Sequence, residues 1–178
     1  MRSITFICLL ITAISLAGCS TSIDGQRYVG QQPDFDLFDF FQGDIKAWGI
    51  VQDRSGNLVQ RFDVDIIGRL ENDRLILDEK FHFHIGDGPT ERIWNVERLS
   101  EDSYQGTASD IVGTASGTAY GNAIQWNYEM DLPVGDRHYR VTFDDWIWAF
   151  DSERILNRSY IKKFGLVMAE VTIFMEKQ

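Results

Sequence analysis

An alternation of apolar and polar residues with a period of two runs through most of this chain and constrains its fold more than any other feature. Phe62, Val64 and Ile66 alternate with Asp63 and Asp65, and Phe81, Phe83 and Ile85 with His82 and His84. Ile124, Trp126, Tyr128 and Met130 alternate with Gln125, Asn127, Glu129 and Asp131. Tyr139, Val141 and Phe143 alternate with Arg140, Thr142 and Asp144, and residues 167–175 repeat the theme. Successive side chains of a strand point to opposite faces, so each segment reads as a half-buried strand. Turn signals separate the segments: Ser55-Gly56-Asn57, Glu71-Asn72-Asp73, Gly86-Asp87-Gly88-Pro89, Gly121-Asn122, residues 133–136 and Gly165. Nearly every linker is hairpin-sized, so sequence neighbours should pair antiparallel. A sheet of that kind protects its edges by closing on itself. The expectation is an all-β domain, an antiparallel up-and-down, lipocalin-like barrel of about ten strands, with a sandwich as the alternative.

The first 33 residues do not share this pattern. Arg2 precedes a mostly apolar run from Ile4 to Leu16 that is short for a membrane span and ends in Leu16-Ala17-Gly18-Cys19. That string matches the bacterial lipobox, in which small residues admit the peptidase and the cysteine thiol takes the diacylglyceryl group. We therefore expect residues 1–18 to be a cleaved signal peptide, Cys19 to be the lipidation site, 19–33 a polar lipidated tether and 34–178 the barrel domain. Ser20 stands where an aspartate would favour retention at the inner membrane, so the expected location is the outer membrane, facing the periplasm. About 160 residues remain after cleavage, enough for one domain with a substantial core. The chain has two cysteines, Cys8 and Cys19, so the mature domain would hold neither a disulfide nor a catalytic thiol. A formal charge of −10 repels phosphate backbones and makes nucleic acid a poor partner.

Two stretches leave their structure open. Residues 34–41, Asp34-Phe35-Asp36-Leu37-Phe38-Asp39-Phe40-Phe41, could be a first strand or a short helix closing one end of the domain. Gly106, Ala108, Gly113, Ala115, Gly117, Ala119 and Gly121 form a small-residue stretch. It reads either as a tightly coiled barrel corner or as bare backbone against which a ligand lies.

Several short strings, Ala47-Trp48-Gly49, Leu77-Asp78-Glu79, Arg92-Ile93-Trp94, Tyr104-Gln105-Gly106, Gly113-Thr114-Ala115-Ser116-Gly117, Gly121-Asn122-Ala123, Phe143-Asp144-Asp145-Trp146 and Lys163-Phe164-Gly165, are familiar as a set. Through them the chain resembles the bacterial lipoprotein family catalogued as domain of unknown function 3833, from about Phe41 to the C-terminus. Ile147 and Trp148 replace the methionine and tyrosine expected after Asp-Trp, which keeps the bulk. The family has no assigned activity, so the resemblance implies no functional residues. Its relatives tend to be encoded near membrane-lipid modification enzymes such as cyclopropane fatty-acid synthases, which implies a lipid-related role.

The residues themselves supply the candidate site. If Tyr139, Val141, Phe143 and Ile147 face the interior, Asp145 joins their row, and a carboxylate there must be paired or hold its proton. It reads as a head-group anchor, as an acid/base partner of Glu79, as a member of a buried ion pair with Arg92, Arg140 or Arg154, or as a residue returned to water by a bulge. The five tryptophans, Trp48, Trp94, Trp126, Trp146 and Trp148, read mostly as core fillers, some lining a cavity. The candidate ligand-binding set is Trp94, Trp126, Tyr128, Phe143, Glu79, Arg92 and Asp145. His82 and His84 have metal-pair spacing, but the remaining histidine, His138, lies on a distant strand, so a solvated strand face is the better reading. Asn157-Arg158-Ser159 is a glycosylation sequon in pattern only and reads as strand. No nucleophile elbow, phosphate loop or dinucleotide fingerprint is present, and no cofactor, metal or catalytic residue is expected.

The expected function is a membrane-tethered periplasmic lipoprotein binding an apolar or lipid-like small molecule in its barrel. A packed barrel serving as a structural or interaction protein, with an unidentified protein partner, and a small lipid-acting enzyme using Asp145 or Glu79 are the alternatives.

Overall fold

The computed structural model describes residues 22–178, in which ten strands close into one barrel. In chain order they are β1 (Gly43–Asp53), β2 (Leu58–Glu71), β3 (Arg74–Ile85), β4 (Glu91–Ser100), β5 (Ser103–Thr107), β6 (Ile111–Tyr120), β7 (Ala123–Val134), β8 (Arg137–Ala149), β9 (Arg154–Lys163) and β10 (Leu166–Lys177). Every strand pairs antiparallel with its sequence neighbours, and β1 pairs with β10 to complete the ring. This is the up-and-down, lipocalin-like barrel that the hairpin-sized linkers predict. The segment expected to be a signal peptide and Cys19 lie outside the described residues.

Alternation assigns the two faces. On β7, Ile124, Trp126, Tyr128 and Met130 are buried inside, while Glu129 and Asp131 face out. On β2, Phe62, Val64 and Ile66 point inward. The interior is apolar and the outer face carries charge, the reverse of a barrel that crosses a membrane with its strands. Among the described residues no helix is long and apolar enough to cross one either.

The barrel is closed at one end only. Residues 34–41 contain a single helical turn, α1 (Leu37–Phe40), which resolves the strand-or-helix ambiguity. Asp36 caps it, accepting hydrogen bonds from the Phe38 and Asp39 amides at 2.8 and 3.1 Å, as an aspartate before an apolar helix start should. Arg98 also bonds both Asp36 oxygens at 2.7 Å, tying the turn to β4. Phe35, Leu37, Phe38, Phe40 and Phe41 are buried and form the floor.

Part of the segment expected to be a polar tether is docked. Gly25–Tyr28 form a 3-10 turn against the outside of the barrel. Gly25 lies against the Tyr120 ring, and the Tyr28 ring centre is 5.9 Å from that of Trp146. The reason is a patch on the outer face of β7, β8 and β9, where Ala123, Trp146 and Tyr160 would otherwise meet water. The five tryptophans thereby divide. Trp94 and Trp126 are inside, Trp146 is buried outside under the turn with Trp148 beside it, and Trp48 is 45% exposed on the surface, stacked on Phe174.

Candidate functional site

The barrel is hollow. A cavity of about 1040 Å³ runs from Leu37 and Phe41 at the floor to Val59, Gly88 and Val134 at the mouth. That is at the upper end of the roughly 300–1,000 Å³ typical of small-molecule sites. All seven candidate residues, Glu79, Arg92, Trp94, Trp126, Tyr128, Phe143 and Asp145, line this single space. They come from β3, β4, β7 and β8, and only barrel closure brings β3 and β4 opposite β8.

The aromatic wall is ordered by ring packing. Tyr128 and Phe143, cross-strand partners, stack with centroids 4.8 Å apart. Trp94 meets Trp126 and Tyr128 edge-on at 5.7 and 5.4 Å. The small-residue stretch explains where the Trp126 indole goes. A Cβ on Gly117 would lie 2.4 Å from Trp126 Cε3, and one on Gly106 would lie 2.6 Å from its Cζ2. The bare backbone of β5 and β6 thus receives a tryptophan from the next strand, where a barrel corner or a ligand contact was expected. A bulge between Val112 and Ser116, with Gly113 at φ 72°, contributes the bend.

Within this apolar wall sits one polar belt. Glu79 and Arg92 are register partners on β3 and β4. The Arg92 guanidinium donates from Nε and Nη2 to both oxygens of Asp110, at 2.7 to 3.1 Å, and packs over the Phe81 and Trp94 rings. Burial works against its charge, but Tyr128, Glu79 and Asp110 outweigh that and raise its pKa. Burial pushes the Glu79 carboxyl up to about 7, against the pull of Arg92 and helped by Asp110. Burial likewise pushes Asp145 up to about 7, opposed by the nearby Ser159 side chain and by Arg92. Both side chains keep some accessible surface because the cavity itself exposes them. Burial also raises the Tyr128 hydroxyl well above its usual value, with Asp145 adding to the effect.

The alternatives for Asp145 are narrowed by this geometry. The pairing of β8 with β7 and β9 runs through Asp145 without a register shift, so no bulge returns it to water. Arg140 bonds Asp131 and Arg154 bonds Asp151, both outside the barrel. Arg92 is forked onto Asp110, a residue that local sequence could not connect to it. Asp145 Oδ1 is buried without a hydrogen-bond partner among the described residues. Its neighbour Asp144 points outward and takes Lys162 and Gln125.

Asn157 and Ser159, read from sequence as plain strand, also face this space, and Ser159 Oγ donates to Asn157 Oδ1 at 3.1 Å. Hydropathy hides them because the inward positions of β9, Ile155, Asn157, Ser159 and Ile161, include two polar residues. His82 and His84 lie on the outer face, within 3.1 and 2.5 Å of Asp65 and Asp63. Asp63, Asp65 and His82 could offer a metal three ligand atoms within 4.8 Å of one another, but the Lys46 ammonium already bonds both carboxylates.

Comparison with known proteins agrees with the fold. No curated protein matches the chain. Among solved structures, the S-type phycobiliprotein lyase CpeS from Guillardia theta superposes with a TM-score of 0.52, covering 80% of this chain and 90% of that one at 10% identity. An identity that low speaks for the barrel and not for its contents. The family described as protein of unknown function (DUF3833) matches residues 13–177, which takes in all ten strands, the floor and every residue of the polar belt, and the chain belongs to that family.

Proposed function

We propose that this protein is a membrane-tethered periplasmic lipoprotein whose barrel binds an apolar or lipid-like ligand. The observation that carries the reading is the cavity: about 1040 Å³, floored at one end, open at the other, and apolar except for one belt. A barrel packed solid, the structural alternative, does not have such a space. An amphiphile would place its chain among Phe62, Phe81, Trp126 and Phe143 and its polar end at Glu79, Arg92 and Asp145.

The mouth suits exchange with a membrane. Val59, Val134 and Met168 line its opening, and Val134 is 61% exposed. Phe164 stands at the tip of the β9–β10 hairpin with 93% of its surface in solvent, held there at φ 52°. Exposed aromatic and aliphatic groups ringing a ligand entrance favour contact with another apolar surface. Lipidation at Cys19 would keep that surface within reach, and the outer membrane facing the periplasm is the proposed location.

Native mass spectrometry of the mature domain purified from its own membranes should show a co-purified small molecule whose loss lowers the melting temperature, since a ligand that binds only the folded state stabilises it. If the domain flies as bare protein and no lipid or detergent shifts its melting, the binding reading fails. Cys19→Ala should abolish incorporation of a clickable fatty acid, and unchanged labelling would end the lipoprotein reading.

One observation favours a second reading, a small lipid-acting enzyme. Glu79 and Asp145 both face the cavity with carboxyls near neutrality, the range of general acids and bases. Chemical change of the bound lipid on incubation, lost in Glu79→Gln, would support it.

A further inference from the structure

Resting on the ligand-binding reading above, we infer that the polar end of the ligand is a hydrogen-bond donor, a hydroxyl, amide or ammonium, received by Asp145 and Glu79, and not a carboxylate or phosphate. The first argument concerns Arg92, the one cation of the belt. An arginine that recognises an anionic head group presents its planar fork to it. Here the Nε–Nη2 edge is spent on Asp110, and Nη2 also meets Met130 Sδ at 3.8 Å. The side chain is only 14% exposed, so Nη1 alone is left and no bidentate edge faces the ligand. The guanidinium is a wall element, neutralised from the β5–β6 turn.

The second argument concerns the acceptors left over. Asp145 Oδ1 is buried with no hydrogen-bond partner among the described residues, although an unpartnered carboxyl oxygen in an apolar wall is costly. Glu79 faces the same space, and among the described residues its carboxyl takes no side-chain hydrogen bond. The remaining polar groups are the Tyr128 hydroxyl, Asn157 and Ser159, the last two bonded to each other. The donors left to the belt are the Tyr128 hydroxyl and Arg92 Nη1, which present no bidentate fork to an anion, whereas Glu79 and Asp145 leave carboxyl oxygens open to a donor.

Charge points the same way. Arg92 and Asp110 cancel, so each proton lost from Glu79 or Asp145 makes the belt negative. A carboxylate or phosphate placed beside them would add like charge in a wall that burial already makes hostile to anions. A hydroxyl or amide would satisfy Asp145 Oδ1 directly, and an ammonium would in addition offset the charge. Lys163 and Asp87, which line the mouth, stand at the entrance and do not alter the belt's own balance.

Four probes with the same dodecyl chain distinguish the possibilities: dodecylamine, dodecanol, dodecanoate and dodecyl phosphate. Binding is read below micellar concentrations at pH 7.5 from tryptophan fluorescence, since Trp94 and Trp126 line the cavity. The amine and the alcohol should bind about tenfold or more tightly than the two anions. Asp145→Asn should remove most of the amine's advantage and leave the alcohol within about twofold, because an amide oxygen still accepts. Asp63→Asn, on the outer face, should change neither, which separates the belt from general attraction to an acidic protein. Should Asp145→Asn fail to fold, Glu79→Gln makes the same comparison. Dodecanoate or dodecyl phosphate binding as tightly as the amine would overturn this inference and leave the ligand-binding reading standing. So would an amine preference that survives both interior substitutions. Failure of all four probes would instead count against the ligand-binding reading itself.

Discussion

On the outer face of β2 and β3, Asp63 and Asp65 share the Lys46 ammonium and lie beside His84 and His82. Hydrogen bonding to Lys46 holds both carboxyls below their usual range, with the histidines adding to the effect. On the inner face, Glu79 and Asp145 also have a cation nearby, yet burial pushes both up to about 7. The residue types are the same and Glu79 sits on the very strand that carries His82 and His84. What differs is the medium. Water screens and solvates the outer ladder, so ionisation there is easy and each pair contributes little. Inside, desolvation exceeds the attraction of a single arginine already committed to Asp110. The outer set looks more like a site from sequence, and the inner set is the one chemically poised to receive a ligand.

The comparison breaks most visibly at Arg92. Arg92→Ala would leave Glu79 and Asp110 without their cation in the wall and should cost about 3–5 kcal/mol at pH 8. The loss should be smaller at pH 5, where Glu79 carries its proton. Urea denaturation at the two pH values checks this, and equal losses would mean that Glu79 does not feel Arg92.

The pH dependence of stability separates the two faces by sign. The inner carboxyls have folded pKa values above their unfolded ones, so the native state binds more protons between about pH 4 and 7. Their contribution is full below about pH 4 and is lost as pH rises through 7. The outer carboxyls have lowered values, so their contribution is present above about pH 4 and is lost as pH falls further. Unliganded protein should therefore be most stable near pH 4–5. The Glu79→Gln, Asp145→Asn double variant should flatten the decline above pH 5 and exceed the parent by roughly 2 kcal/mol at pH 8, a figure discounted from the full shift because the cavity hydrates both groups. An unchanged slope would mean that the two carboxyls ionise normally.

Packing contrasts the faces on a single strand. Gly117→Ala points a methyl at Trp126 and should cost about 1–3 kcal/mol, with a shift in tryptophan emission. Thr118→Ala, next to it and facing out, should stay within about 0.5 kcal/mol. Comparable losses at both positions would contradict the indole's seat on β6.

The smallest effect belongs to the outer ladder. Asp63→Asn should change stability by no more than about 1 kcal/mol at pH 7, and added salt should shrink the difference further. A loss as large as that of Arg92→Ala would erase the distinction between the faces.

Much of the site was legible because alternation is a local rule. Once Val141 and Phe143 faced inward, Asp145 had to join them, and the same logic put Trp126 and Tyr128 in the wall. Asp110 was not legible as the partner of Arg92, since it reaches it only across the fold of β4, β5 and β6. Asn157 and Ser159 escaped because they are polar residues at inward positions of β9, between Ile155 and Ile161, so burial alternates there while hydropathy does not. The docked turn at Gly25–Tyr28 was hidden in a polar segment whose contacts depend on Trp146, more than 100 residues later.

The sequence by itself determined the faces and the pairing. A pleated backbone sends every second side chain the same way, and linkers of a few residues allow only antiparallel neighbours, so an up-and-down barrel follows from local chemistry. Whether that barrel is hollow, and what state its buried carboxyls take, was decided by the tertiary structure alone. Cavity volume depends on how ten strands close and on where large side chains such as Trp126 are received. The protonation of Glu79 and Asp145 depends on a balance between desolvation and the reach of Arg92, and that balance is a property of distances in space.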